Sequence, residues 1–124
     1  MRLLIVDDDG DLRASLADAL CDSHAVKLVA TSWEALASHP ERFDAILTDY
    51  NMPAMTGLEL HTVLLRRGVM VPMILMSSDP AVGWPARARG SGFWGFLAKP
   101  FDLSQLQTVL DLVALGSGPA SSAA

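Results

Sequence analysis

A chain of 124 residues with 51% hydrophobic and 19% charged residues is long enough for one buried core and too apolar to be disordered. Its net charge of −5, with nine lysines and arginines in no long basic block, argues against direct nucleic-acid binding. A single cysteine, Cys21, excludes an intrachain disulfide and a thiolate metal cluster, and its neighbours predict a half-buried, inert thiol on a helix.

The apolar run Leu3-Leu4-Ile5-Val6 stops at Asp7, too short for a signal peptide. No stretch approaches the roughly 18 apolar residues of a membrane span, so the reading is a cytoplasmic protein without a membrane partner. Residues 2–6 predict a first strand, and its unbroken apolar character suits burial on both faces. A helix over about residues 11–22 follows, with Leu12, Leu16, Ala19 and Leu20 at helical spacing and Asp9 and Asp11 suited to cap its start.

Residues 25–30 predict strand two. A short helix then starts at Ser32, the expected N-cap, with Glu34 in its first turn. Strand three covers 43–48. Thr56 caps a helix through about residue 67, carrying Leu58, Leu60, Val63, Leu64 and Leu65, and Gly68 stops it. Strand four covers 71–76 and strand five 93–98. The last helix begins after Asp102 and presents Leu103, Leu106, Val109, Leu110 and Val113 inward.

Between strands four and five a fourth predicted helix is interrupted by Gly83, Pro85 and Gly90, so it is expected to be short or distorted. Trp84 and Trp94 beside it raise a partner-docking patch. The small, polar tail of residues 116–124 predicts a flexible terminus or linker stub. His24, His39 and His61 have no metal-ligand spacing and are read as surface residues. Short apolar runs alternating with amphipathic ones predict a single α/β domain with a doubly wound parallel sheet.

Four kinds of chemistry follow four of those strands. The acid cluster Asp7-Asp8-Asp9 follows strand one, Asp49 follows strand three, Ser77 follows strand four and Lys99 follows strand five. Parallel strands would gather them at one edge, where open α/β sheets bind ligands. Carboxylates suit a hard cation such as Mg2+; Lys99 supplies a point charge for phosphate, and Ser77 a hydroxyl donor. Asp49, followed by Asn51-Met52-Pro53 and Gly57, is placed as a nucleophile facing a phosphoryl donor.

Those residues resemble the receiver domain of bacterial two-component response regulators, over residues 1–115. The resemblance is carried by Leu4-Ile5-Val6-Asp7-Asp8-Asp9, by Asp49-Tyr50-Asn51-Met52-Pro53-Ala54-Met55-Thr56-Gly57, by Ser77 and by Lys99-Pro100-Phe101. It implies a flavodoxin-like, five-stranded sheet of order 2-1-3-4-5. It implies that Asp49 accepts a phosphoryl group from a sensor histidine kinase or phosphotransfer protein. Mg2+ would be held by Asp8, Asp49 and the backbone carbonyl of Asn51, with Asp7 acting through water.

By the same resemblance Lys99 pairs with Asp49, Ser77 binds the phosphoryl group, and Phe96 is the switch aromatic, where tyrosine is frequent. Asn51 and Asp79 tune self-dephosphorylation. The expected output is a surface of the fourth predicted helix, strand five and the last helix, engaging an unknown partner, a missing effector domain or a second copy. The domain is not expected to be an enzyme beyond its own phosphorylation and dephosphorylation at Asp49.

Two rival readings exist. A receiver-like module that binds partners without phosphorylation is motivated by the broken fourth helix. The run Asp7-Asp8-Asp9-Gly10 also fits the opening of haloacid-dehalogenase-type phosphatases, with Asp7 as nucleophile and Asp9 as acid/base. That second reading leaves Asp49 without a role and finds no acidic pair after Lys99.

Overall fold

The computed structural model describes residues 1–78 and 92–116. Five strands form one parallel sheet of order β2-β1-β3-β4-β5. They are β1 (Arg2–Val6), β2 (Ala25–Val29), β3 (Ala45–Asp49), β4 (Met73–Ser77) and β5 (Gly95–Ala98). Four α-helices are described, α1 (Gly10–Leu20), α2 (Ser32–Ala37), α3 (Gly57–Arg66) and α4 (Leu103–Ala114), with a 3-10 turn at Pro40–Arg42. The fourth predicted helix, with Asp79 and Trp84, and the tail beyond residue 116 lie outside the described residues.

The side-chain alternation of the central strands divides the core in two. Leu4, Val6, Ile46 and Leu75 pack with Leu60, Leu64, Met52, Met55 and Phe93 on the face covered by α2 and α3. Leu3, Ile5, Leu47, Ile74 and Met76 pack with Leu16, Leu20, Leu106, Leu110 and Val113 under α1 and α4. β1, β3 and β4 are therefore apolar on both faces, as a sheet covered on both sides requires.

Caps set the helix starts. Asp9 accepts from the N–H groups of Asp11 and Leu12 at the head of α1. Thr56 with Glu59, and Asp102 with Gln105, form capping boxes on α3 and α4. The α2 cap is Thr31, not Ser32: Thr31 accepts from Glu34 N–H at 3.1 Å. Ser32 is instead fully buried and donates to the Met55 carbonyl at 3.0 Å, tying α2 to the loop that follows β3.

Several side chains sit otherwise than their sequence predicts. Cys21, past the end of α1, is exposed. Leu103, the first residue of α4, is 49% exposed. Trp94 is half-buried against the α1/α4 side of the core. His24 is half-buried, and neither ring nitrogen has a hydrogen-bond partner among the described residues. His61 is buried and its ring stacks on Phe93 at 4.5 Å. It shares the face of α3 defined by Gly57, Leu60 and Leu64, the i, i+3, i+4, i+7 pattern of a core stripe.

Burial holds the His61 imidazole below its ordinary value of 6.5. The fold prefers the neutral ring, so its stability contribution is intact above 6.5 and is lost as pH falls through the lower folded value. Urea unfolding at about pH 7.5 and about pH 5 is expected to show that loss, and His61→Phe to reduce it. An unchanged pH dependence in the variant would contradict this account.

Gly95 sets how closely α4 approaches the sheet. A Cβ there would lie 2.6 Å from Val109 Cγ1. Gly95→Ala is expected to cost about 1–3 kcal/mol in chemical denaturation, and Val109→Ala in the same chain to recover part of it. Additive losses in the double variant would show that this contact is not the cause.

Candidate metal and acceptor site

Because all strands run parallel, their carboxyl ends lie along one edge of the sheet. Register fixes the heights there: Val6 pairs with Thr48, Asp49 with Met76, and Ser77 with Ala98. Asp7 and Lys99 follow the strands at either side of that row, and Ser77 closes β4 beside it. The Lys99 N–H donates to the Ser77 carbonyl at 2.7 Å, extending the β4–β5 pairing by one residue so that the lysine side chain starts at the edge. The edge also contains the point between β1 and β3 where the strand order reverses, the switch point of a doubly wound sheet.

Asp7 is fully buried and fully engaged. Its Oδ2 accepts from Lys99 Nζ at 2.6 Å, and its Oδ1 accepts from Asp9 N–H at 2.9 Å. Its own N–H donates to the Val29 carbonyl at 3.1 Å. Asp49 is 7% exposed, with Oδ1 3.3 Å from Lys99 Nζ. Lys99 thus lies between the two carboxylates but closer to Asp7 than to Asp49, the partner expected from the sequence. Asp8 is exposed and points from the β1–α1 loop into the same space. One carboxylate oxygen from each of Asp7, Asp8 and Asp49 lies within 4.8 Å of the others.

Burial pushes the Asp49 carboxyl up from its ordinary value, and the charges of Asp7 and Asp8 push the same way against the pull of Lys99. Burial alone would lower Lys99, but Asp7 and Asp49 outweigh it, and the ammonium is held above its ordinary value. Among the described residues Lys99 is the one cation paired with these carboxylates, so three acids share one ion-pair partner and negative charge predominates. All the donors are hard oxygens, which fits Mg2+. Both Asp7 oxygens already accept hydrogen bonds, leaving Asp8 and Asp49 as the natural direct ligands. The same engagement and full burial make Asp7 a poor nucleophile, against the phosphatase reading.

The loop beyond Asp49 is braced at both ends. Tyr50 N–H donates to the Met76 carbonyl at 2.7 Å, and Gly57 N–H to the Tyr50 carbonyl at 3.0 Å. Gly57 packs so tightly on the Asp49 carbonyl that a Cβ would collide with it. Asn51, exposed two residues past Asp49, sits where the loop leaves the edge. Ser77 is buried at the end of β4. Phe96 is half-buried on the α2/α3 side, its ring 6.4 Å from Phe93. Beside Lys99 an open groove of about 420 Å³ is lined by Asp9, Leu12, Ser78, Pro100 and Phe101.

One residue of the site escapes a motif-based reading. Arg13 donates through Nη1 to the Asp7 carbonyl at 2.6 Å. Side chains on a helix lean toward its N-terminus, so an arginine in the first turn of α1 reaches back over the β1–α1 loop. That signal was available in the spacing from Asp7 to Arg13.

A doubly wound parallel sheet of order 2-1-3-4-5 defines the flavodoxin-like class of α/β domains, and the acidic site lies at its switch point. This chain belongs to the response regulator receiver domain family, whose pattern matches residues 3–111. It is 33% identical over 122 residues to the response regulator protein FleR of Pseudomonas aeruginosa, covering 97% of this chain and 26% of that protein. It is 31% identical, with a TM-score of 0.80, to the chemotaxis protein CheY4 of Vibrio cholerae, covering 90% of this chain and 97% of that one. The receiver domain of the Pseudomonas aeruginosa sensor histidine kinase PA1611, described with magnesium coordinated in its active-site cleft, is 27% identical. Its TM-score is 0.78, over 91% of this chain and 97% of that one. The chain spans between about a quarter and a half of the length of the curated relatives it matches.

Proposed function

We propose that this domain takes a phosphoryl group onto Asp49 from a phosphohistidine, carried by a sensor histidine kinase or a phosphotransfer protein. The observation that carries the reading is the position of Asp49: 3.3 Å from Lys99 Nζ and grouped with Asp7 and Asp8 within 4.8 Å at the sheet edge. An Asp49 oxygen attacks phosphorus as the bond from phosphorus to imidazole nitrogen breaks. The electron pair stays on the ring. Charge on the transferring group must be neutralised in place, so the site works by positioning and electrostatics.

Asp8, Asp49 and the Asn51 carbonyl would hold Mg2+, with Asp7 behind, and the ion would supply positive charge to this acidic cluster. Lys99 moves its hydrogen bonding toward the new phosphoryl oxygens, and the Ser77 hydroxyl donates to another. The groove beside Lys99 gives the donor imidazole its approach, past Leu12 and Phe101. Phe96 follows Ser77 inward and alters the surface beside β5, which an output partner, an attached effector domain or a second copy reads. Asn51 and Asp79 orient the water that later hydrolyses the acyl phosphate. No turnover of an outside substrate is part of this role, and its setting is the cytoplasm.

Intact-mass spectrometry after mixing with acetyl phosphate and Mg2+ tests the reading. A single added phosphoryl group that chelation of Mg2+ prevents is expected. No incorporation would support the rival, unphosphorylated binding module.

A further inference from the structure

We propose that Arg13 is the positioning residue of the cation site: by clamping the Asp7 carbonyl it fixes the Asp7–Asp8 peptide and aims the Asp8 carboxylate at Asp49. This rests on the reading of Asp7, Asp8 and Asp49 as the Mg2+ site. Three observations carry it.

The clamp is short and sheltered. Arg13 Nη1 lies 2.6 Å from the Asp7 oxygen in a part-buried contact, at the strong end of hydrogen bonds donated by a charged group. The other nitrogen, Nη2, runs over Gly10, where a Cβ would sit 3.5 Å from it, so the guanidinium spans the β1–α1 loop. The acceptor is the carbonyl of the peptide unit whose nitrogen belongs to Asp8, and holding its plane restricts the backbone that carries Asp8.

Among the described residues no side-chain hydrogen bond holds Asp8. Its side chain is exposed, whereas Asp7 is held by Lys99 and Asp9. The direction of the Asp8 carboxylate therefore depends on its backbone, which two contacts hold. They are the Asp9 N–H bond to Asp7 Oδ1 on one side and the Arg13 clamp on the Asp7 carbonyl on the other. The helix carrying Arg13 is itself anchored: Arg13 N–H donates to the Asp9 carbonyl at 3.1 Å, and Asp9 caps the same turn.

The sign of the effect separates positioning from charge. A guanidinium near three carboxylates repels an incoming cation, so neutralising it would tighten Mg2+ binding if charge were its whole role. Loss of an outer support for metal ligands weakens binding, by about 10–100-fold in typical sites. Positioning therefore predicts the opposite direction from electrostatics.

The test is a Mg2+ titration of wild type, Arg13→Met, Arg13→Lys and Asp8→Asn, followed by backbone amide shifts and by the initial rate of phosphorylation from acetyl phosphate. Expected are saturable binding in wild type that Asp8→Asn removes, about tenfold or weaker affinity in Arg13→Met, and an intermediate value in Arg13→Lys. Raising Mg2+ should return the Arg13→Met rate close to wild type, a recovery that a misfolded variant would not show. Should Arg13→Met fail to fold, the weakened midpoint of Arg13→Lys carries the same comparison. Equal or tighter Mg2+ binding in the variants, or a rate that saturating Mg2+ does not restore, would overturn the proposal while leaving the site intact. Wild type without saturable Mg2+ binding would remove the site itself, and the role of Arg13 with it.

Discussion

Asp49→Asn is expected to take up no phosphoryl group from acetyl phosphate and Mg2+ under conditions that phosphorylate wild type to completion. An amide oxygen is a poor nucleophile, and the neighbours do not substitute for it. Asp7 is fully buried with both oxygens accepting hydrogen bonds, and Asp8 sits on a loop without the bracing of a strand end. The readout is intact mass, with the site located by reductive trapping of the acyl phosphate. Phosphorylation of the variant at the wild-type level would sink the assignment of Asp49.

The same substitution should make the Mg2+-free protein more stable. Burial and the two nearby carboxylates raise the folded carboxyl of Asp49 above its ordinary value of 3.8. For a raised acid, the favourable state is the protonated one, present below 3.8, and stability is lost as pH rises through the folded value. At neutral pH ionised Asp49 therefore works against the fold, and an uncharged asparagine of similar shape removes that cost. Thermal melts in a chelator should rank Asn above wild type, and added Mg2+ should narrow or reverse the ranking. Asp49, the proposed acceptor, is thus a place where the chain holds charge at a cost in stability.

The sheet and the participants in this site were legible in sequence because each rests on local pattern. Unbroken apolar runs such as Leu3 to Val6 read as doubly covered strands, and chemistry placed after each run must share an edge once the strands are parallel. Strand order came through resemblance, since periodicity does not specify which strands are neighbours. Boundaries moved by one or two residues; β4 starts at Met73 because Pro72, without an N–H, can only accept there, from Ile46. Less legible were choices made between distant partners. Lys99 could pair with any acid at the edge, and its preference for Asp7 across 92 positions is set by three-dimensional distance. His61 was missed for another reason: its residue type overrode a helical spacing that already marked it as core.

Lys99→Met should have the largest effect on the fold. The ammonium lies 2.6 Å from Asp7 Oδ2 and 3.3 Å from Asp49 Oδ1, with its side chain 15% exposed and that of Asp7 fully buried. Methionine keeps much of the length of the stem but leaves three carboxylates without their cation. Breaking a buried pair from one side costs about 3–5 kcal/mol, because the remaining charge stays desolvated. Urea unfolding in a chelator should show a loss of that order. The loss should shrink with acidification, since the unpaired carboxylates then bind protons more readily in the folded state. It should also shrink on adding Mg2+, which takes over the missing positive charge, whereas wild type gains less from the same addition. Phosphorylation should slow by about 100-fold even at saturating Mg2+, because a point charge aimed at the transferring group is gone. A stability gap that neither acid nor Mg2+ narrows would mean that Lys99 supports the sheet edge by packing, and that its ammonium is not the counter-charge holding Asp7 and Asp49 together.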